Sequence, residues 1–160
     1  MKQFFPKMLI RLCAALCTLA GALLAGGILL FVPPGEAGND AQQAEIREIE
    51  TAARHYLDAE VKGDHKRIYE CLAPSSPYRA NTSYEIYLKE VQASPTRIVS
   101  YRIVKVSKVR DNDDRRRFPN VEKFAQVEVE LVILFEDVRQ RTEANYDFPF
   151  VKENGKWFKG

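Results

Sequence analysis

The segment from Leu12 to Val32 constrains this chain more than any other. It runs 21 residues without a charge, and Thr18 is its only clearly polar side chain. At about 1.5 Å of rise per residue, a helix of that length spans the roughly 30 Å hydrocarbon core of a bilayer. Its many Gly and Ala residues are normal in a membrane span. Lys2, Lys7 and Arg11 precede it, and Glu36, Asp40 and Glu45 follow it. The positive-inside rule then places residues 1–11 in the cytoplasm as a basic head and everything after Pro33 outside. The expectation is a single-pass anchor at 12–32 in a bacterial-type cytoplasmic membrane. The competing expectation is a cleaved signal sequence, leaving a secreted or periplasmic product. Signal peptides have apolar cores of about 7–15 residues and a small-x-small cleavage site. The segment here is longer, and Gly35-Glu36-Ala37 is the best-placed site.

Charge divides at the same boundary. Residues 1–32 hold three of the 24 basic groups and no acid. The other 128 residues carry 21 basic and 22 acidic groups, a net of −1. The overall +2 therefore belongs to the head. A nucleic-acid-binding fold needs a basic excess on its folded part, so no nucleic-acid partner is expected. Cys13 and Cys17 each follow a Leu, which excludes a bacterial lipoprotein site. With Gly21 and Ala25 they form a small-residue face of the kind that packs two membrane helices. Cys71 stands alone outside the anchor and has no intramolecular disulfide partner there.

Residues 33–40 read as a breaker-rich linker, and 41–160 as one domain. Asp40 has the character of a helix cap, with Gln43 three residues on. Ile46, Ile49, Ala53, Tyr56, Leu57, Glu60 and Val61 recur at helical spacing up to Gly63. Asp64 caps a second helix bearing Ile68, Tyr69, Cys71 and Leu72, ahead of Pro74. Ser75–Ala80 reads as a loop, and Ser83 caps a third helix that ends before Pro95. Strands follow. Val99 and Tyr101 alternate with Ser100 and Arg102, while Val104 and Val106 take the other parity. That change of phase predicts a bulge near Ile103. Asp111–Asp114 marks a turn. Ala125, Val127, Val129, Leu131, Ile133 and Phe135 form a half-buried strand. Ala144, Tyr146, Phe148 and Phe150 form another, with Pro149 marking an edge or bulge. Asn154-Gly155 is a hairpin turn leading to Trp157 and Phe158. The fold class expected is α+β: three N-terminal helices packed on a curved antiparallel sheet, preceded by one transmembrane or signal helix.

Three features together resemble the nuclear transport factor 2-like superfamily, the SnoaL-like cone-shaped α+β domain. They are the helix with Ala53-Arg54-His55-Tyr56-Leu57-Asp58-Ala59 followed by Lys62-Gly63-Asp64, the bent antiparallel sheet, and the ending Val151-Lys152-Glu153-Asn154-Gly155-Lys156-Trp157-Phe158. The resemblance covers about residues 42–160. It implies a cone of helices against a curled sheet, and that fold hosts enzymes, ligand binders and protein adaptors alike. Enzymes of the family keep ionisable groups inside the cone. Tyr56 stands where an isomerase-like Tyr would sit, but no carboxylate occupies the region of Ala80-Asn81 where the general base would follow. Glu128, Glu130 and Asp147 have the parity opposite to the apolar residues and should face outward.

His55 and His65 have no companion donors to form a zinc site. Asp111, Asp113 and Asp114 imitate the start of a calcium loop, but Arg116 replaces its glycine. No metal and no cofactor is expected. Arg115-Arg116-Arg117 makes the same tip dipolar, and a solvated hairpin is the expected form. Tyrosine combines apolar area with a polar tip. Tyr56, Tyr69, Tyr101, Tyr146 and Phe148 are therefore the candidate lining of a ligand pocket or interface. The function expected is a membrane-anchored extracytoplasmic binding or scaffold domain. It would engage an envelope protein partner, a second copy of itself, or a small apolar ligand. The alternative is a small cone-fold enzyme of hydrolyase or isomerase type, for which no catalytic pair can be placed.

Overall fold

In the computed structural model the described residues are 36–160, with side chains described from residue 39 onward. The basic head, the apolar segment at 12–32 and the start of the linker lie outside them. Among the described residues no helix is long and apolar enough to cross a membrane.

Four helices precede four strands. They are α1 (Glu36–Lys62), α2 (His65–Cys71), α3 (Pro77–Asn81), α4 (Tyr84–Gln92), β1 (Thr96–Asp111), β2 (Lys123–Phe135), β3 (Gln140–Glu153) and β4 (Lys156–Lys159). The strands form one antiparallel sheet in the order β1-β2-β3-β4, and the helices pack on it, so the class is α+β. Helix α1 starts at Glu36, four residues before Asp40, so Asp40 lies inside the helix. Its end is as the sequence predicts. Gly63 takes φ +66°, the Gly63 N–H donates to the Glu60 carbonyl at 3.1 Å, and the Asp64 N–H reaches the Ala59 carbonyl at 2.9 Å. Those two bonds satisfy carbonyls that a helix end would otherwise leave unpaired. Asp64 then accepts from the Arg67 N–H at 3.1 Å and starts α2. The stretch read as a loop at Ser75–Ala80 holds the one-turn helix α3. The Ser76 hydroxyl caps it by accepting from the Arg79 N–H, and Pro77 sits in its first turn, where its missing N–H costs nothing.

Alternation on β2 is clean: Ala125, Val127, Val129 and Leu131 are buried, and the residues between them are half-exposed. They meet Ile49, Ala53, Tyr56 and Leu57 of α1, with Phe150 and Trp157 closing the core. Each such large side chain contributes about 1.5–3 kcal/mol by leaving water. Strand β1 is bent more than its sequence suggests. Its register against β2 shifts three times, between Ile98 and Ser100, between Ile103 and Lys105, and between Ser107 and Arg110. The middle shift is the bulge expected near Ile103. The first falls at Val99, so Ile98, and not Val99, joins Tyr101 against the core. Each extra residue lets β1 keep an apolar face inward while bending and twisting.

Two polar clusters fix the periphery. The β1–β2 turn is organised by Asn112, which is buried. Its amide donates to the carbonyls of Phe118 and Val121, both at 2.8 Å, and its oxygen accepts from the Asp114 N–H at 2.9 Å. On the other side, Glu45 of α1 bonds Lys123 of β2 at 2.7 Å and faces Lys152 of β3 at 3.5 Å. Burial pushes the Glu45 carboxyl up, but the two ammonium groups win and hold it below its ordinary value.

Two outcomes follow. Asn112→Ala leaves two carbonyls and an N–H without their partner and should destabilise the domain by about 1–3 kcal/mol in denaturant titration. Glu45 has a folded-state pKa below its unfolded one, so its stabilisation is present above about pH 4.5 and is lost as pH falls through the folded value. Glu45→Gln should lower Tm at neutral pH by about 2–5 °C and flatten that acid limb of a Tm-versus-pH curve.

Candidate functional site

The helices cover only part of the sheet's inner face. On β2, burial is complete as far as Leu131 and partial at Ile133. Where the cover ends, the inner face continues as the wall of a cleft of about 630 Å³. Ile98, Leu131, Ile133, Tyr146 and Phe148 form its sheet side. Glu60 at the end of α1, His65 and Ile68 of α2, and Tyr87 and Val91 of α4 form its helix side. Arg97 and Glu136 pair across the rim at 3.6 Å. The volume lies within the range of small-molecule sites, which combine apolar walls with a few polar groups.

Glu60 is the electrostatic centre of this cleft. It stands four residues after Tyr56, on the same face of α1. Burial holds the Tyr56 hydroxyl far above its ordinary range, and the Glu60 carboxylate adds to that effect. Burial and the same carboxylate push Tyr87 up to about 12. Lys159 of β4, whose ammonium lies 5.6 Å from the Phe148 ring, is lowered by burial, while Glu60 opposes that shift. One carboxylate therefore faces two tyrosines held neutral at any physiological pH and one half-buried lysine. Such a set offers an acceptor to a cation or a hydrogen-bond donor, and it also has the parts of a proton-transfer site. On the same cleft, Nδ1 of His65 is buried and has no hydrogen-bond partner among the described residues.

The five residues singled out from the sequence separate. Tyr146 and Phe148 line the cleft and stack on each other, with centroids 6.2 Å apart. Tyr56 lies behind Phe148, edge to face at 5.9 Å. Tyr69 packs instead between Tyr84 and Tyr87, and its hydroxyl donates to the Thr82 carbonyl at 2.8 Å, joining α2 to α4. Tyr101 donates to the Asp58 carboxylate at 2.7 Å, joining β1 to α1. The sequence reading passed over Glu60 and Tyr87 as site residues. A signal for Glu60 was present, because a carboxylate stands within the otherwise apolar stripe of α1.

The carboxylates of the sheet lie on its other face. Glu130 takes a bidentate bond from Arg102, Glu128 pairs with Lys105 at 3.0 Å, and Asp147 is exposed. That face is polar. The calcium-like cluster is engaged within the protein: Asp113 pairs with Arg110 at 3.0 Å, Asp114 accepts from the Arg117 N–H, and Glu122 accepts from the Gly155 N–H at 2.8 Å. Among the described residues no group of three or more His, Cys, Asp or Glu side chains converges on a point that could hold a metal. Neither a protein-family model nor a curated protein matches the chain.

The Glu60 assignment has a direct readout. Glu60→Gln removes the charge but not the burial. Tyr87 should then titrate below about 12 yet still above the ordinary tyrosine value of about 10. Ultraviolet absorbance titration of tyrosinate, with Tyr87→Phe as the subtraction, measures it.

Proposed function

We propose that residues 41–160 form a nuclear transport factor 2-like cone, held outside the cytoplasmic membrane by the segment at 12–32, and that the cone acts by binding. The ligand is a small, mainly apolar molecule carrying one hydrogen-bond donor or cationic group. The observation that carries this reading is the 630 Å³ cleft with aliphatic and aromatic walls and the Glu60 carboxylate on one side. An apolar body would displace water from Ile98, Ile133 and Phe148, and the donor would pair with Glu60 beside two neutral tyrosines. An anchor would hold the site at the bilayer surface, where apolar molecules concentrate.

A second reading, a small enzyme of the same fold, is favoured by a single observation. Glu60 is a carboxylate set against the buried hydroxyls of Tyr56 and Tyr87, the grouping a proton-transfer reaction needs. Glu60 would act as the base in that case, and its loss would abolish turnover without abolishing binding.

Titration with a neutral fluorescent naphthylamine tests the binding reading. Saturable emission enhancement is expected with the unaltered protein. Ile133→Trp, which fills the cleft, should weaken it at least about tenfold, a loss of roughly 1.4 kcal/mol. Absence of saturable binding, or binding indifferent to Ile133→Trp, would remove the cleft from consideration.

A further inference from the structure

Three edges of the sheet can be compared. The outer edge of β1 is broken by three register shifts, a common device against edge pairing. The outer edge of β4 is taken: Leu72 bridges Lys159, and the Ala73 N–H donates to the Lys159 carbonyl at 2.8 Å. Strand β3 is different. It pairs with β2 from Gln140 to Lys152 with no shift, but β4 reaches it only from Phe150 to Glu153. Among the described residues, no strand pairs with the other side of Gln140–Phe148.

The limits of this free edge are set by the backbone. At one end the Gly160 N–H donates to the Pro149 carbonyl at 3.0 Å, and proline has no N–H to offer. At the other, Arg139 has φ +53° and turns the chain away. Since the Pro149 carbonyl points to this edge, alternation along the strand points the N–H and C=O groups of Asp147, Asn145, Glu143 and Arg141 the same way. The segment is symmetric in length about Ala144.

We propose that a second copy of this chain pairs here, antiparallel, with Ala144 opposite Ala144 of the other copy and a two-fold axis between them. In that register Arg141 faces Asp147 of the second copy, and Asp147 faces its Arg141. Glu143 and Asn145 sit opposite each other, and about eight main-chain hydrogen bonds form, two for each facing pair. Charge selects this occupant. Within one copy Asp147 stands directly opposite Glu128, a like charge, and neither Asp147 nor Arg141 has an ion-pair partner among the described residues. Two-fold pairing supplies one to both, twice. On the inner face, Thr142 of the second copy comes beside Tyr146, which is 48% exposed in one copy. The second copy then extends the wall of the ligand cleft. The inference does not depend on which ligand that cleft takes.

The test uses the full chain in membranes, with Cys13, Cys17 and Cys71 replaced by Ser. Ala144→Cys places two thiols at a non-hydrogen-bonded antiparallel pair, where the strands come closest and a disulfide fits. Mild oxidation should give a dimer band on a non-reducing gel. Val138→Cys, exposed in the β2–β3 turn but far from its own counterpart, should not. In the Ala144→Cys background, Asp147→Arg or Arg141→Asp puts like charges across the axis and should cut the dimer at least about fivefold. The double swap, Arg141→Asp with Asp147→Arg, should restore it, which also shows that neither change acts by unfolding the domain. The proposal is overturned if Ala144→Cys gives no dimer, if Val138→Cys gives as much, if the single swaps leave the yield unchanged, or if the double swap fails to recover it. Cross-linking of Ala144→Cys to a different protein in place of itself also overturns it.

Discussion

The apolar face of β2 outruns its cover, and the rest of the molecule follows from that mismatch. Ala125, Val127, Val129 and Leu131 are closed over by α1 and its neighbours, and burying them is what holds helices and sheet together. The same alternation continues through Ile133, and β1 and β3 carry Ile98, Tyr146 and Phe148 beside it, where the helices' cover is incomplete. A sheet that stayed flat would leave this surface open to water. The three shifts in β1 let that strand bend, and these residues face Glu60, His65, Ile68, Tyr87 and Val91 of the helices across a cleft. The cleft is thus a consequence of strand length, helix length and bulge position together.

Charge is distributed by the same geometry. Of the carboxylates that alternate away from the core, Glu130 and Glu128 meet Arg102 and Lys105, and Asp147 meets water. Glu45 is held by two lysines and acts as a clasp between α1 and the sheet. Glu60 is the exception, because its helix position turns it toward the cleft, where it raises two tyrosines and opposes the lowering of Lys159. Helical parity, more than residue type, decides which carboxylate faces the cleft.

Much of the local structure was legible because local chemistry dictates it. The Gly63-Asp64 corner needs a left-handed residue and a side-chain acceptor, and the Asn154-Gly155 turn needs two positive φ values, which the chain supplies. Helix α3 was not legible by periodicity, since five residues are too few to show a period; Ser76 followed by Pro77 was the available cue. In β1 the bulge near Ile103 showed as a change of parity, while the shift at Val99 was hidden because Ile98 and Val99 are both apolar. Tyr69 and Tyr101 illustrate the limit for sites. A tyrosine's sequence position gives its element, but whether its hydroxyl ends on a ligand, on Thr82 or on Asp58 depends on what packs above it.

The sequence by itself determined the α+β order, the four-stranded antiparallel run, the caps at Asp64 and Ser83, the hairpin and the outward parity of Glu128, Glu130 and Asp147. These depend on periods of 2 and 3.6 residues and on backbone angles within a few residues. Only the tertiary structure decided that Glu60 and Tyr87 meet at one cleft, that Tyr146 and Phe148 line it while Tyr69 and Tyr101 do not, and that one stretch of β3 has an edge with no strand on it among the described residues. Those facts depend on where the helices stop along the strands, a relation between segments far apart in the chain that no local pattern encodes.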